Sequence, residues 1–218
     1  MRTAAVLLAL NACAVSAETP NTLTAQERKE GYVLLFNGKD LDGWQGDLSV
    51  WSVNDGAIVG STDGHPIQQN TFLIYKQPYP DFILKAAVRL HNHNSGIQFR
   101  STVLEGAPQW IVAGYQADFS QAGDRSAWGN FYEERGRGRA VMKTPDEGWR
   151  VAQKLVRVRD WNQYEILAQG NRIQLQLNGV VTIDTTDDKA SSGVIALQLH
   201  AGEPMRVEFR NVKLKPLR

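Results

Sequence analysis

Four short segments place titratable or planar hydrogen-bonding side chains at alternate positions between apolar ones: GIQFR (96–100), YQADF (115–119), NFYEE (130–134) and ALQLH (196–200). Successive side chains of a strand point to opposite faces. Gln98 and Arg100 then oppose Ile97 and Phe99, and Gln116 and Asp118 oppose Tyr115, Ala117 and Phe119. In the same way Tyr132 and Glu134 oppose Phe131 and Glu133, and Gln198 and His200 oppose Leu197 and Leu199. Collected on one surface, these amides, carboxylates, guanidinium, phenol and imidazole suit the hydroxyls and carbonyls of a sugar. A solvated outer face is the commoner fate of any one such strand, but those faces are built mostly from Lys, Glu, Thr and Ser. The set as a whole therefore reads as a ligand surface. Asp118 with Glu133 or Glu134 also offers the paired carboxylates of ordinary glycoside hydrolysis.

Other candidates weigh less. His91 and His93 would share a strand face and could bind a metal, yet Asn94-Ser95-Gly96 directly after them signals a strand end, where a solvated histidine is the usual outcome. Of the six tryptophans, Trp44, Trp51 and Trp161 lie in strand-like contexts and read as core. Trp128 and Trp149, in loop-like sequence, are better placed to meet a ligand, and Trp110 has no clear assignment.

The elements that must position these residues are short. From Tyr32 onward, alternating or apolar runs are broken by Gly, Asn, Asp and Pro, which is an all-β signature. Asn54-Asp55-Gly56, Gln169-Gly170-Asn171 and Asn178-Gly179 are hairpin turns by their chemistry. The strand-like runs extend from YVLLF (32–36) to MRVEFRNVKLKPL (205–217) and include KLVRVR (154–159). So many strands in one domain imply a two-sheet antiparallel jelly-roll sandwich. Residues 122–153, richer in Gly and charge, read as long loops around one strand.

At the scale of the chain, 218 residues suffice for one such domain. Twenty-four Lys and Arg balance 23 Asp and Glu, so no broad field favours a nucleic acid or an anionic membrane, and a small or neutral partner is expected. Residues 1–17, MRTAAVLLALNACAVSA, read as an export signal, with an apolar run too short to span a bilayer. A periplasmic or extracellular location follows. The lone cysteine, Cys13 in LNAC, resembles the box at which a lipoprotein is cut and anchored, an alternative to simple secretion. Residues 18–30 read as a linker or short helix, and 31–218 as the domain. With no second cysteine an internal disulfide is excluded, as is a cysteine-based zinc site. No GxSxG elbow, HExxH, phosphate loop or dinucleotide fingerprint occurs.

LLFNGKDLDGW, NSGIQFRS, GYQAD, WGNFYEE, WNQYEI and the ending GVIALQLHAGEPMRVEFRNVKLKPL, in that order, resemble the bacterial 3-keto-glucoside lyase and hydratase family, also called 3-keto-disaccharide hydrolases. The resemblance runs from Gly31 to Leu217. It implies a concanavalin-like jelly roll, a concave sheet that binds sugar, and a reaction on glycosides already oxidised at C3. The family pattern falls on Asn94, Ser95, Gly96 and Arg100, on Gln116 and Asp118, on Tyr132 and Glu134, and on His200, Arg210 and Asn211. His91 and His93 match no family position.

The implied chemistry has physical requirements. A C3 ketone acidifies the C2 proton, so a base can remove it and the C1 oxygen can leave by β-elimination; hydration of the resulting glycal runs similar steps in reverse. The site needs a base, a partner for the enolate oxygen and an acid for the leaving group. Expected roles are Glu134 or Asp118 as base, Arg100 with Gln98 or Gln116 as oxyanion and hydroxyl partners, His200 as acid/base or metal ligand, and Tyr132 as leaving-group donor. Gln198 and Trp128 complete the expected substrate contacts. A divalent metal held by Asp118, Glu134 and His200 is compatible with the donor set, although no spacing requires one. The alternative is a carbohydrate-binding jelly roll without catalysis.

Overall fold

The computed structural model describes residues 19–106, 108–120, 126–138 and 147–217. The segment read as an export signal, with Cys13, lies outside them. Along the chain the elements are α1 (Ala25–Glu30), β1 (Val33–Leu34), β2 (Trp44–Gln45), β3 (Trp51–Asn54), β4 (Ala57–Ser61), β5 (Thr71–Tyr75), β6 (Phe82–Leu90), β7 (Asn94–Val103), β8 (Val112–Ser120) and β9 (Asn130–Glu134). After α2 (Glu147–Leu155) come β10 (Asn162–Gln169), β11 (Arg172–Leu177), β12 (Val180–Thr186), β13 (Val194–Leu199) and β14 (Arg206–Pro216). Eight strands form one antiparallel sheet in the order β12-β11-β10-β6-β14-β4-β3, with β1 added on β14; six form the other in the order β2-β5-β13-β7-β8-β9.

Turn chemistry sets the hairpins. Asp55 and Gly56 between β3 and β4 have φ of 49° and 69°, and Asn178 and Gly179 between β11 and β12 have 49° and 81°. These are the left-handed conformations that a two-residue hairpin turn requires. The sheets pack face to face because alternate side chains of both are apolar. Ile97, Phe99, Ala117, Phe119, Phe131, Leu197 and Leu199 of the six-stranded sheet meet Leu84, Val88, Tyr164, Ile166, Leu175 and Phe209 of the other in one continuous core. Each such large side chain fully removed from water stabilises the fold by about 1.5–3 kcal/mol.

Departures from the expected layout have local causes. KLVRVR is no strand. Trp149, Ala152 and Val156 recur at helical spacing, so α2 lays Ala152, fully buried, against the protein. Val158 is left 69% exposed, with no face to cover. Asn162 then holds the return, its amide donating to the Arg157 carbonyl at 2.8 Å while its Oδ1 accepts from the Arg157 N–H at 2.9 Å. Trp44 and Trp51 are core. Trp161 is instead half-buried on the eight-stranded sheet, with the guanidinium groups of Arg210 and Arg89 at 4.0 and 4.6 Å from its ring. The segment before the strands is the short helix α1, closed by a capping box between Thr24 and Glu27.

Candidate active site

The outward face of the six-stranded sheet carries the polar residues that alternation gathers there. A cavity of about 180 Å³ opens on it, walled by Gln116 and Asp118 of β8, Tyr132 and Glu134 of β9, and Gln198 and His200 at the end of β13. Asn94 at the start of β7 and Asn70, just before β5, complete the wall. Register explains the convergence. Gln116 pairs with Gln98 on one side and Tyr132 on the other, and Asp118 pairs with Gly96. Gly96 is an opening in the floor, since a Cβ there would lie 2.3 Å from Gln116 Cδ. Only glycine lets the Gln116 amide lie across the strand.

An amide relay fixes the floor. Ser101 donates to Gln98 Oε1 at 2.6 Å, the Gln98 amide donates to Gln116 Oε1 at 2.6 Å, and the Gln116 amide donates to Asp118 Oδ1 at 3.1 Å. Gln98 is fully buried beneath Gln116 and orients it without lining the cavity. Glu134 reaches across the sheet, where the Gln198 amide donates to Oε2 at 3.2 Å and the Asn70 amide to Oε1 at 3.3 Å. Burial pushes the Glu134 carboxyl above its ordinary value, only partly offset by the Asn70 hydrogen bond and the nearby charges of Arg135 and His200. A carboxyl poised by burial inside a polar cavity has the character of a general base.

His200 donates from Nδ1 to the Ala201 carbonyl at 2.6 Å, because a carbonyl can only accept. Its neutral form therefore presents the Nε2 lone pair. The His93 ring stands 4.9 Å away, centroid to centroid, and burial lowers the His93 pKa, with further lowering from His200. His93 Nδ1 and Asn94 Oδ1 are buried without a hydrogen-bond partner. Orphaned polar atoms beside a polar cavity are where a ligand hydroxyl gains most.

Two predicted site residues lie elsewhere. Arg100 sits at a bulge, where the β7–β8 register shifts between Phe99 and Thr102 and Arg100 takes φ of 47°. The bulge re-aims its side chain away from the polar face. The guanidinium donates to the carbonyls of Pro80 and Gly170 at 2.7 and 2.8 Å and pairs with Asp81 at 2.8 Å. It fastens the structure and is no oxyanion partner. Trp128 is 2% exposed, stacked on Phe119 with ring centroids 5.0 Å apart, so it is core and no sugar platform. An edge of Trp128 and the side chain of Trp149 line a separate apolar recess with Val156 and Val158.

His91 and His93, two positions apart, part company: His91 meets Glu208 at 3.1 Å while His93 turns towards His200. Among the described residues no three His, Cys, Asp or Glu side chains converge closely enough to hold a metal ion. Asp118, Glu134 and His200 thus wall one cavity without forming a ligand set. Glu133 faces the other way and pairs with Arg137 and Lys189. Asn70 was not foreseen, because it precedes its strand in HPIQQN, where alternation has no hold.

Amides, two buried carboxyls, a phenol and an imidazole around a small cavity on a two-sheet jelly roll define a carbohydrate-active sandwich domain. The chain belongs to the family of 3-keto-alpha-glucoside-1,2-lyase-like domains, whose profile matches residues 31–215. In fold it is similar to a Parabacteroides distasonis protein named as a glycosyl hydrolase (24% identity, TM-score 0.68, covering 92% of this chain and 100% of that one). It is also similar to the carbohydrate-binding module CBM66 of Bacillus subtilis (20%, 0.55, 78% and 94%). A third likeness is to the β-glucanase of Bacillus licheniformis (12%, 0.50, 80% and 92%). These are glucanase-like and lectin-like sandwiches of the concanavalin type. No curated protein matches the chain significantly.

Proposed function

We propose that this is an exported enzyme that cleaves 3-keto-glycosides by β-elimination and hydrates the resulting 3-keto-2-hydroxy-glucal. The observation that carries the reading is Glu134, a buried carboxyl with a raised pKa, held by two amides in a cavity otherwise built to hydrogen-bond a sugar. Ionised, it takes the C2 proton of the keto sugar. The C2–H electron pair forms the enolate, whose C3 oxygen is met by the second N–H of the Gln198 amide, both N–H groups of Gln116 being donated to Asp118 and Gln198. The C1–O bond then breaks, and the departing oxygen takes a proton from Tyr132, or from Nε2 of His200 when its imidazole carries both protons. Addition of water across C1 and C2 completes net hydrolysis. Asp118, which accepts the Gln116 amide at the end of the relay, takes the part of a sugar-hydroxyl partner. No membrane-crossing helix occurs among the described residues, and the expected partner is a saccharide.

The test is incubation with a 3-keto-glucoside and with its unoxidised parent, following release of the leaving group with and without chelator. Only the keto substrate should be cleaved, and Glu134→Gln should lower kcat/KM by about 10²–10⁴-fold, the range of a lost general base. A variant that cleaves at the wild-type rate overturns the assignment of Glu134. Sugar affinity without turnover of any keto-glycoside makes the domain a binding module instead.

A further inference from the structure

The even charge balance of the whole chain, 24 basic to 23 acidic residues, conceals one uneven stretch. Residues 148–159, GWRVAQKLVRVR, hold Arg150, Lys154, Arg157 and Arg159 and no acid. They make up most of α2 and the turn that follows it. At 3.6 residues per turn, Trp149, Ala152, Gln153 and Val156 fall on one side of the helix, and Arg150, Val151, Lys154 and Leu155 on the other. The first side faces the protein: Ala152 is fully buried, and the Gln153 amide donates to the Trp128 carbonyl at 2.7 Å. All four residues of the second side are exposed.

An ordinary solvated helix face is polar throughout. Here Val151 is 36% and Leu155 45% exposed, with Val158 in the turn beyond them, and the four cations stand between these bare apolar side chains. Trp149, Val156 and Val158 border the apolar recess alongside, about 540 Å³ in volume. The positive surface continues past the turn, where Arg157 donates to the Trp161 carbonyl at 3.4 Å and Arg159 to the His91 carbonyl at 3.2 Å. On the adjoining face of β6 and β14, Arg89 and Arg206 share one carboxylate, Glu208, and Arg210 lies over the Trp161 ring. An acidic polysaccharide would use the cations and gain nothing from exposed Val and Leu. Apolar side chains set among cations complement an anionic bilayer, whose phosphates lie just outside its acyl chains. Nine residues of helix span about 14 Å, well short of the roughly 30 Å hydrocarbon core, so such a helix lies in the interface and does not cross.

We propose that the exposed side of α2, with the turn to Arg159, docks the protein on an anionic phospholipid surface. Val151, Leu155 and Val158 enter the headgroup region, and Arg150, Lys154, Arg157 and Arg159 meet the phosphates. None of these residues walls the polar cavity, so docking stands or falls independently of the reading of Glu134.

The test is co-sedimentation of the full chain with vesicles of phosphatidylcholine alone and of phosphatidylcholine with about 30% phosphatidylglycerol, at low and at high salt. A leader or a lipid on Cys13 is common to every form, so the ratio of the two partition coefficients, and its change in variants, reads the patch. Wild type should favour the acidic vesicles at least thirtyfold at low salt and lose most of that preference at high salt. Arg157→Gln with Arg159→Gln should lower partitioning to the acidic vesicles about thirtyfold, at about fivefold for each cation. Leu155→Ser with Val158→Ser should lower it about tenfold. All four side chains are exposed, so both double variants should keep the wild-type unfolding midpoint. Equal partitioning of wild type to the two kinds of vesicle, or acidic-vesicle binding untouched by the charge variant, overturns the proposal. Retention on heparin with binding to neither vesicle also overturns it and makes the patch a site for an acidic polysaccharide.

Discussion

Glu134 draws its chemistry from distant parts of the chain: Asn70 and Gln198 donate to its two oxygens, and burial supplies the energetic pressure on its proton. Its pKa is raised, so the carboxyl keeps its proton to higher pH than a free glutamate at 4.5. A base must be ionised to act, and activity should therefore be low in acid and rise through a midpoint above 4.5. A kcat/KM profile against pH on a 3-keto-glucoside measures this limb, which should vanish in Glu134→Gln. Alternation in four strands was enough to foresee Gln116, Asp118, Tyr132, Glu134, Gln198 and His200 on one face, because a pleat imposes that period whatever the partners are. It could not find Asn70, which reaches the cavity from a loop, nor show that Gln98 would lie under Gln116, which depends on cross-strand register.

Among the elements, β7 is where period-two reading breaks. The bulge after Phe99 inserts an extra residue, and Arg100 leaves the polar face for a ring of backbone carbonyls and Asp81. A bulge leaves little trace in residue types, so alternation alone places this side chain on the wrong surface. The consequence is measurable. Arg100→Met should destabilise the protein by about 3 kcal/mol in urea unfolding, since it leaves Asp81 and the carbonyls without their cation. The folded variant should keep kcat/KM within about twofold on the keto substrate. A large loss of activity at unchanged stability would return Arg100 to the site. Helix α2 is hidden for a related reason: Val156 and Val158 alternate like a strand, while Trp149, Ala152 and Val156 also fit a helix, and packing decides between them.

Over the whole molecule, the two sheets are clasped where their edge strands β9 and β12 come together. Thr182 donates to the Gly129 carbonyl at 2.8 Å. Arg137 joins Glu133 at the end of β9 to Asp187 just past β12, and the Tyr115 hydroxyl also donates to Asp187. The Arg137 hydrogen bond, more than any other influence, holds the Asp187 pKa down to about 2. A depressed carboxylate stabilises the fold fully above its ordinary value of 3.8, and that contribution is lost as pH falls through about 2. Thermal unfolding followed between those limits should show a shallower loss of stability in Asp187→Asn than in wild type. An unchanged slope would mean the clasp is decorative.

The all-β sandwich itself was legible, because hairpin turns and alternating runs recur along the chain. The clasp was not, because its members are far apart in sequence and only the closed sandwich brings them together.

The placement of β14 has a temporal meaning. The last strand lies in the middle of the eight-stranded sheet, between β6 and β4, and carries β1 as well. Just beyond Arg210 on that strand, Asn211 exchanges hydrogen bonds with Asn21 across 190 positions, Asn21 N–H to Oδ1 at 2.7 Å and Asn211 N–H to Oδ1 at 2.8 Å. No early portion of the chain can close this sheet. Pairings of such high sequence separation are slow to nucleate, so the centre of the eight-stranded sheet, where β14 joins β6 to β4, closes late in folding.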